Sequence, residues 1–391
     1  MNTQEYSGER LADNPEELSV VQETKKKMGQ MDLPFFFLTL LILIIGVVAV
    51  LSASFARSYY ASGDPMKYFV RQLVFAVSGV GIMMVVSVIR ISTFRRFSVP
   101  LLAVSIVLLI LVPIIGVEEN GAKRWIWLGF TTVQPSEIAK LAEIMTFAYL
   151  ICMYKDKMKT FKYGVLPFVA IAALIVGLLI FEPHMSASVI VIAIAAIMMF
   201  AGGTKLHWFA LGGGAVAAVA VVILTKFSYV SGRITAWLNP EADPLGSGYQ
   251  ILQSLYAIGS GGLLGLGLGQ GRQKYLYLPE EHNDYIFSVI CEELGFVGAV
   301  LILALFALLI VRGFWLAMHS RDRYGSLVIT GITSLLAIQV FLNVAVVTNL
   351  LPSTGISLPF FSYGGTALWI QMVEMGIILA ISRDIPIKKA G

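Results

Sequence analysis

Charge, histidine and cysteine are scarce in this chain. Asp, Glu, Lys and Arg together make up 13% of its 391 residues, and there are 4 histidines and 2 cysteines. So little charge excludes an ordinary soluble domain, because 57% of the residues are hydrophobic and cannot all be hidden from water. Cys152 and Cys291 form no CxxC motif, and packing inside helices is their preferred interpretation. Lipid is therefore the expected solvent for most of the chain.

Long apolar runs occupy the sequence in place of charge. A membrane-spanning helix needs about 20 predominantly apolar residues. Ten runs meet this rule, at about 34–56, 67–89, 98–117, 137–153, 163–181, 187–204, 207–227, 286–311, 327–349 and 362–382. We therefore predict an all-α polytopic membrane protein with about ten transmembrane helices.

Lysine and arginine set the predicted orientation. With the N-terminus inside, 18 of the 28 cationic residues fall in cytoplasmic segments, so the positive-inside rule places both termini in the cytoplasm. Residues 1–33 are expected to form a disordered tail, residues 34–384 the transmembrane domain and residues 385–391 a cytoplasmic tail. The first span is interpreted as a retained helix rather than a cleaved signal, because a long polar segment precedes it.

One connection, the outer loop of about residues 228–285, is unusually long, and loops of that length are usually functional. Its glycine tract, Gly259 to Gly271, matches no nucleotide-binding pattern, so we interpret it as permitting tight turns and close backbone approach. Residues Gly248 to Ile258 are predicted to form a short amphipathic helix at the interface. The outer loop 350–361, with two prolines, is expected to be a broken segment lining a cavity.

Asp284 stands where the long outer loop meets the apolar run that begins near residue 286. A carboxylate at a membrane edge is costly unless it is solvated, paired or used in function. Asp284 either caps the next helix or serves as a general base, and both roles can coexist. On an ideal helix it shares a face with Ser288, Cys291 and Gly295, small residues that predict a groove beside it.

A second polar group lies in the run Gln134-Pro-Ser-Glu-Ile-Ala-Lys. Ser136 or Gln134 is expected to cap a helix here, and Glu137 and Lys140 then share one helical face. These two residues either form a structural pair or leave Lys140 facing an outer cavity, where it binds an anion. The two interpretations are compatible.

The remaining charged groups near Asp284 have several open roles. Glu292 and Glu293 either pair with Lys140 or with helix ends in a structural role, or act in catalysis. His282 is a candidate partner or metal ligand, although one histidine beside one aspartate is weak metal evidence. Cations, aromatics and one acid at a membrane surface suit an anionic lipid-linked sugar. Composition alone does not separate an enzyme acting on such a lipid from its transporter.

Five blocks of sequence, in family order, resemble the SEDS family (shape, elongation, division and sporulation), which comprises FtsW, RodA and SpoVE. The blocks are Asn120-Gly-Ala-Lys-Arg-Trp-Ile, Gln134-Pro-Ser-Glu-Ile-Ala-Lys, Gly248-Tyr-Gln-Ile-Leu-Gln-Ser-Leu-Tyr-Ala-Ile-Gly-Ser-Gly-Gly-Leu, Leu278-Pro-Glu-Glu-His-Asn-Asp-Tyr-Ile-Phe with Glu292-Glu-Leu-Gly-Phe, and Leu358-Pro-Phe-Phe-Ser-Tyr-Gly-Gly. The resemblance extends over residues 34–384, and its details are closer to FtsW and SpoVE than to RodA.

The resemblance implies an inverting peptidoglycan glycosyltransferase that joins lipid II units by β-1,4 bonds and releases undecaprenyl diphosphate outside the cytoplasmic membrane. The family's essential aspartate falls on Asp284, which would deprotonate the acceptor hydroxyl. Arg124, Lys140, Arg233 and Lys274 are expected to hold the leaving diphosphate. The full set of expected substrate-binding residues is Lys123, Arg124, Glu137, Lys140, Arg233, Gln253, Lys274 and His282.

The resemblance also implies partners and a location. The expected partners are lipid II, the nascent glycan strand, a class B penicillin-binding protein and other divisome or elongasome membrane proteins, but no nucleic acid. The expected location is the bacterial cytoplasmic membrane at the division septum. A divalent cation, Mg²⁺ or Mn²⁺, is left open as a cofactor because no ligand set is readable. The alternative functions are a lipid II flippase and a division scaffold.

Three positions depart from the family pattern. His282-Asn-Asp284 stands where the family often has His-Thr-Asp, and Thr366-Ala367 stands where it has Ser-Ser. Glu182-Pro-His-Met-Ser replaces a common Gln-Pro-Asp-Leu-Gly, which removes an acid and leaves the role of that loop undecided.

Overall fold

The computed structural model of the protein describes residues 29–119, 122–129, 131–182, 184–214 and 228–385. The described chain is mainly helical. Its long helices are α1 (Leu33–Ser62), α2 (Lys67–Val86), α3 (Ile91–Ile115), α4 (Pro135–Tyr154), α6 (Leu166–Phe181), α7 (Met185–Ala201), α10 (Ile286–His319), α11 (Arg323–Val347) and α12 (Gly365–Ser382). Shorter helices are α5 (Phe161–Gly164), α8 (Ser228–Leu238) and α9 (Tyr249–Ser260), with 3-10 turns at Lys155–Lys159 and Pro240–Ala242. Residues 206–214 are also helical.

Seven helical segments of the described chain are long and apolar enough to cross a membrane, namely α1, α2, α3, the α5–α6 segment, α10, α11 and α12. The helix α7 is apolar but shorter, and α4 carries three charged residues within its first three turns. Each of these nine segments overlaps a predicted span. The tenth predicted span, 207–227, lies mostly outside the described residues, as do the head 1–28 and residues 386–391. The number of spans and the orientation of the termini therefore stay predictions.

Helix α1 shows how local sequence fixes an end of the bundle. Asp32 caps α1, because its side chain accepts a hydrogen bond from the backbone nitrogen of Phe35, and Pro34 occupies the first turn. Arg312 on α10 donates two hydrogen bonds to the same carboxylate, at 3.0 and 2.5 Å. The buried carboxylate of Asp32 thus caps the N-terminus of α1 and joins this helix to α10. At the other end, Gly63 terminates α1 with a left-handed φ of 73°.

A small antiparallel sheet lies between α3 and α4, where the sequence predicted only a loop. Its strands are β1 (Val117–Glu119), β2 (Ala122–Trp127) and β3 (Thr132–Val133), in the order β1-β2-β3. Trp125 pairs with Val117, and Ile126 pairs with Val133. The β-branched and aromatic residues that favour strands are present, but the run is too short to stand out between two long helices.

Helix α10 is broken at Gly295, whose backbone is non-helical with φ 66° and ψ −170°. The glycine-rich segment 261–267 fills the break. The backbone nitrogens of Leu266 and Gly267 donate to the carbonyl oxygens of Glu292 and Glu293, each at 3.0 Å. In return, the nitrogens at positions 296 and 297 donate to carbonyl oxygens at 262 and 263. Since backbone groups in a bilayer must be satisfied internally, this exchange is what permits the break.

The glycines of this tract are required for close approach, as the sequence predicted. A Cβ at Gly261 would collide with the carbonyl oxygen of Cys291, and a Cβ at Gly265 would collide with that of Glu293. Gly265 also has a left-handed φ of 81°. The short helix predicted at 248–258 is present as α9, and it packs on α10 through a 2.7 Å hydrogen bond between Ser254 and Ser288.

Candidate active site in the outer cavity

A cavity of about 880 Å³ opens at one end of the helical bundle. Its walls come from the last turns of α1, the first turns of α2, α4, α7 and α12, the β2 strand and the segments 280–284 and 355–357. These ends all lie on the side that the charge pattern places outside. A smaller pocket of about 50 Å³ continues from it, sharing Glu137 and Gln339, toward Glu374 on α12. We call the larger space the outer cavity.

Asp284 lines the outer cavity and does not cap a helix. Helix α10 begins at Ile286, its N-cap residue is Tyr285, and no side chain caps it. The capping interpretation of Asp284 is therefore wrong, because the chain makes a turn over 279–285 before the helix starts. The carboxylate instead lies beside Gly355, where an added Cβ would be 3.1 Å from Asp284 Oδ2.

The groove predicted along Ser288, Cys291 and Gly295 is also wrong. That face of α10 is covered, because Ser288 is bonded to α9 and the glycine segment packs on the backbone at 291 and 295. The helical projection failed because Asp284 precedes the helix and so does not share its geometry.

Burial shifts the pKa values of Asp284 and of the neighbouring His282. Removal from water raises the pKa of Asp284 to about 6, and Glu280 adds to the rise while Arg124 opposes it. Burial also lowers the pKa of His282 to about 4, with Arg57 contributing, so its imidazole is neutral at pH 7. A carboxylate with a pKa close to neutrality is well matched to accept a proton.

Backbone hydrogen bonds hold the acid-bearing segment in place. The amide nitrogen of the buried Asn343 side chain donates to the carbonyl oxygens of Asp284, at 2.8 Å, and Ile356, at 2.6 Å. The Ser362 hydroxyl donates to the carbonyl of Asn283 at 2.8 Å, and the nitrogen at 363 donates to the carbonyl at 282 at 2.9 Å. The loop 350–364 therefore positions Asp284, and its residues at 355–357 line the cavity as predicted.

An arginine on α1 fixes the same segment from the other side. Arg57 donates from Nε and a terminal nitrogen to the two carboxylate oxygens of Glu281, at 2.8 and 3.1 Å. The Glu281 side chain is fully buried, which raises its pKa, while Arg57 opposes that shift. The rings of Tyr68 and Tyr363 pack on His282 with centroids 5.2 and 5.7 Å away. The turn that carries Asp284 is thus held by α1, α2 and the 350–364 loop.

Glu137 and Lys140 both line the outer cavity and pair with each other. The distance between Lys140 Nζ and Glu137 Oε2 is 2.7 Å, and the lysine side chain is buried. Helix α4 begins at Pro135, as expected, but neither Gln134 nor Ser136 caps it through a side chain, so that prediction is wrong. Both roles predicted for Lys140, ion pairing and an outward-facing position, are geometrically compatible.

Four predicted binding residues do not line the outer cavity. Lys274 is buried in a 2.6 Å ion pair with Glu293 and also donates to the Ser52 hydroxyl at 3.0 Å. Arg233 donates to the carbonyl oxygen of Ser353 at 2.9 Å, beside the cavity loop. Gln253 is half-buried on α9, and Lys123 is exposed on β2. Of the predicted set, Arg124, Glu137, Lys140 and His282 join Asp284 in the cavity.

Glu292 and Glu293 do not pair with Lys140. Glu292 accepts hydrogen bonds from the backbone nitrogens of Arg272 and Gln273, at 2.8 and 3.2 Å. Glu293 forms an ion pair with Lys274. Both acids therefore hold the outer loop onto α10.

Several residues of the cavity were missed by the sequence reasoning. They are Arg57, Tyr68, Arg71, His184, Ser186, Glu280 and Gln339. Arg57 and Arg71 lie at the ends of spans that are predicted to face outward, against the positive-inside trend, and that was the available signal. His184 and Ser186 belong to the Glu182-Pro-His-Met-Ser segment whose role was undecided, and the Ser186 hydroxyl donates to the Thr354 carbonyl.

A divalent cation needs several oxygen or nitrogen ligands that lie close together. Among the residues that the structure describes, no three His, Cys, Asp or Glu side chains come together as a metal site. Glu280 is turned partly toward Asn283, whose amide donates to it at 2.7 Å. The described residues therefore offer no set of three such protein ligands for Mg²⁺ or Mn²⁺.

Known sequences match this chain over most of its length. The FtsW/RodA/SpoVE family, described as "Cell cycle protein", matches residues 32–385. A probable peptidoglycan glycosyltransferase FtsW from Trichlorobacter lovleyi is 44% identical over 359 residues, which cover 91% of this chain and 94% of that protein. Stage V sporulation protein E from Bacillus subtilis is 41% identical over 362 residues, covering 92% and 99% respectively.

Two solved structures have the same fold. One is a chain from a peptidoglycan synthase complex described by its coordination of polymerization and crosslinking; it is 29% identical, with a TM-score of 0.75, over 90% of this chain and 98% of that one. The other is the rod shape determining protein RodA from Thermus thermophilus, 27% identical with a TM-score of 0.67, over 92% and 98%.

Proposed function

The chain belongs to the FtsW/RodA/SpoVE family and is a membrane-embedded peptidoglycan glycosyltransferase, and we propose that it polymerises lipid II in the outer cavity with Asp284 as general base. The observation that carries the proposal is the outer cavity itself. It brings a carboxylate with a raised pKa together with cations at the end of the bundle predicted to face outward.

The reaction follows from this placement. Asp284 takes the proton of the acceptor's GlcNAc 4-hydroxyl, and the oxygen attacks the anomeric carbon of the donor chain from the face opposite the leaving group. A β-1,4 bond forms as the bond to undecaprenyl diphosphate breaks, so the anomeric centre inverts. Asp284 then returns its proton to water at the cavity mouth. Proton transfer by a positioned base is worth roughly a hundredfold to ten-thousandfold in rate.

The cations supply the other half of the chemistry. Arg124 and Lys140 line the same cavity as Asp284 and are suited to hold the diphosphate as its negative charge grows. Glu137 keeps Lys140 oriented through their 2.7 Å ion pair. His282 is neutral at pH 7, so it contributes a hydrogen-bonding and stacking surface rather than a charge.

The proposal includes a partner and a location. The structural relative in a peptidoglycan synthase complex supports association with a class B penicillin-binding protein that crosslinks the new strand. The family description as a cell cycle protein and the sporulation protein among the relatives support action during division or sporulation, and the apolar helices support a location in the cytoplasmic membrane. We place this chain at the division septum, where strands would be polymerised and crosslinked together.

The test uses purified protein with its transpeptidase partner and fluorescent lipid II. We expect Asp284→Asn to reduce glycan strand formation by roughly a hundredfold or more, because the amide does not accept the proton. Asp243→Asn is the matched control, since Asp243 is exposed in the outer loop and does not line the cavity. Strand formation at the normal rate by Asp284→Asn overturns the assignment. Accelerated exposure of lipid II in vesicles, without any polymer from the unaltered protein, supports the flippase instead.

A further inference from the structure

A buried acid on α12 has no part in the proposed reaction. Glu374 lies near the middle of this helix, nine residues after Gly365, which is roughly 14 Å along the axis at 1.5 Å per residue. Glu374 is only 6% exposed, and it forms no hydrogen bond and no ion pair with the residues that the structure describes. A carboxylate at that depth of a membrane span is costly unless a proton or a cation neutralises it.

Glu374 lines the pocket of about 50 Å³ that continues from the outer cavity, and we call this space the inner pocket. Three other side chains with oxygen atoms line it, namely Glu137 on α4, Gln339 on α11 and Gln371 on α12. Gln371 lies three residues before Glu374, so these two side chains are on one face of α12. The inner pocket is therefore polar, and its volume accommodates a small ion with a few water molecules.

Irregular backbone forms another wall of the inner pocket. Residues 357–364 contain no helix and lead directly into α12. The side-chain oxygen of Gln371 accepts a hydrogen bond from the backbone nitrogen of Phe360 at 2.9 Å, which holds this segment against α12. A carbonyl oxygen has two lone pairs, so the Gln371 oxygen retains the capacity to bind a second partner. Non-helical backbone beside a spanning helix is a common setting for small cations in membrane proteins.

The charge balance around Glu374 identifies the kind of ion that fits. Lys140 Nζ lies 2.7 Å from Glu137 Oε2, so these two charges neutralise each other. Lys140 and Glu137 are also the charged groups that act on Glu374. The three ionised groups together carry one unbalanced negative charge. A divalent ion would overcompensate this charge and would be repelled by Lys140, whereas a monovalent ion balances it.

We propose that the inner pocket binds a small monovalent cation, Na⁺, through the Glu374 carboxylate and the side-chain oxygens of Gln339 and Gln371. This inference goes beyond the proposed function, because the site lies beside the outer cavity and takes no part in making the glycosidic bond. The bound ion joins α11 and α12. It also prevents Glu374 from competing with Glu137 for Lys140, which therefore keeps its position in the outer cavity.

Direct binding of sodium tests the site. The purified full-length protein should bind radioactive Na⁺ saturably, and Glu374→Gln should lower the affinity at least about tenfold, because the neutral amide does not attract the ion. Glu374→Asp keeps the charge and should recover part of the affinity. Choline is too large for the inner pocket and should not compete.

The matched control is Glu143→Gln, which should bind Na⁺ as the unaltered protein does. Glu143 is also a buried carboxylate without a hydrogen-bond partner in the described part of the chain, but it does not line the inner pocket. Sodium should raise the melting temperature of the unaltered protein and of Glu143→Gln, relative to choline, but not that of Glu374→Gln. Absence of saturable binding, equal binding by Glu374→Gln, or competition by choline overturns the proposal.

The rate of polymerisation provides a second readout. Replacement of sodium chloride by choline chloride at constant ionic strength should slow the unaltered protein several-fold, because an ionised Glu374 then attracts Lys140 away from Glu137. Glu374→Gln should be insensitive to this exchange, and an equal response of the two proteins contradicts the proposal. Asp284→Asn should bind Na⁺ normally while losing polymerisation. Polymerisation at the normal rate by Asp284→Asn would refute only the base assignment, whereas lost sodium binding in an active unaltered protein would refute only the cation site.

Discussion

At the scale of single residues, Asp284 and Lys274 show which roles can be predicted from the sequence and which cannot. Asp284 was identifiable because an acid at the edge of an apolar run is costly wherever it lies. The role of Lys274 depends on Glu293 and on Ser52, which is 222 residues away in the chain. A contact of that range leaves no local pattern, so a paired lysine and a substrate-binding lysine look the same in the sequence.

The raised pKa of Asp284 predicts how activity depends on pH. A general base must be ionised, so the rate should fall below about pH 6, approaching a tenfold loss for each further pH unit. Glu280→Gln removes a negative charge that raises the pKa of Asp284. The midpoint should therefore move to lower pH in that variant. The measurement is the initial rate of lipid II polymerisation from about pH 4.5 to about pH 8. This range extends from the ordinary pKa of a carboxyl group to above that of a histidine. A shift to higher pH, or none, contradicts this electrostatic picture.

The ion pair between Lys274 and Glu293 predicts a stability pattern. Each partner is buried, so Lys274→Met or Glu293→Leu alone should destabilise the protein by about 3–5 kcal/mol by leaving an uncompensated charge. The double variant should be more stable than either single one and should retain polymerase activity, since neither residue lines the cavity. Thermal unfolding in detergent measures the loss of stability in the single variants and its recovery in the double variant.

The matched control for that cycle is the exposed pair of Arg95 and Asp322, at 2.8 Å. Arg95→Met should cost only about 0.2–1 kcal/mol of stability, because both members of this ion pair are in water-accessible positions. Loss of activity in a stable Lys274/Glu293 double variant would show that Lys274 does act on substrate.

At the scale of elements, the sequence did not predict the break in α10, although it did predict close backbone approach by the glycine tract 259–271. The tract 259–271 was interpreted as allowing close backbone approach, and the structure confirms this at Gly261 and Gly265. The partner of that approach, the interior of α10, was predicted as an uninterrupted span. Gly295 lies in an apolar run, and a single glycine in such a run is compatible with an intact helix. Only the complementary hydrogen bonds reveal the break.

The same break predicts the effect of a single methyl group. Gly295→Ala should destabilise the protein by at least about 1–3 kcal/mol, because an alanine at φ 66°, ψ −170° is strained. Its Cβ would also collide with the backbone nitrogen of Gly265. Gly177→Ala on α6 is the control, since a Cβ there meets nothing within 4 Å and alanine favours a helix. Equal melting temperatures for the two variants would refute the structural role of the break.

The small sheet marks the other limit of reasoning by element. The segment 118–136 contains Lys123, Arg124, Trp125 and Trp127, which are visible in the sequence as features of composition. Its folding into β1–β3 depends on pairing partners such as Ile126 and Val133, which are brought together by the ends of α3 and α4. That placement turns Arg124 toward the cavity and leaves Lys123 exposed, a distinction that two adjacent cations do not show in sequence.

At the scale of the whole molecule, apolar runs were sufficient to predict most of the fold. Helix α1 was predicted at 34–56 and extends over Leu33–Ser62, while α12 was predicted at 362–382 and begins at Gly365. Hydrophobic length is a strong signal because the bilayer imposes it on every span alike. The lateral arrangement of the helices has no such signal. The cavity, which combines residues from 57 to 369, therefore emerged only from the structure.

The predicted orientation of the chain can be tested by labelling. In a variant with Cys152 and Cys291 replaced by alanine, Ser247→Cys should react with a membrane-impermeant maleimide on intact spheroplasts. Asp384→Cys should react only after the membrane is permeabilised, since the charge bias places this end in the cytoplasm. Both positions are exposed, so access rather than burial decides the result. The reverse pattern would place the outer cavity in the cytoplasm and exclude polymerisation of an extracellular strand there.

The exchange of hydrogen bonds at Gly295 has a consequence for how the protein enters the membrane. A nascent α10 carries unsatisfied carbonyl and amide groups at its break, and each would cost several kcal/mol if it met hydrocarbon alone. The groups that satisfy them lie at 262–267, which precede α10 in the chain and are already synthesised when it emerges. The two segments are therefore expected to be integrated as a single hairpin. Biogenesis of the outer loop and of the helix that follows it is then one event rather than two.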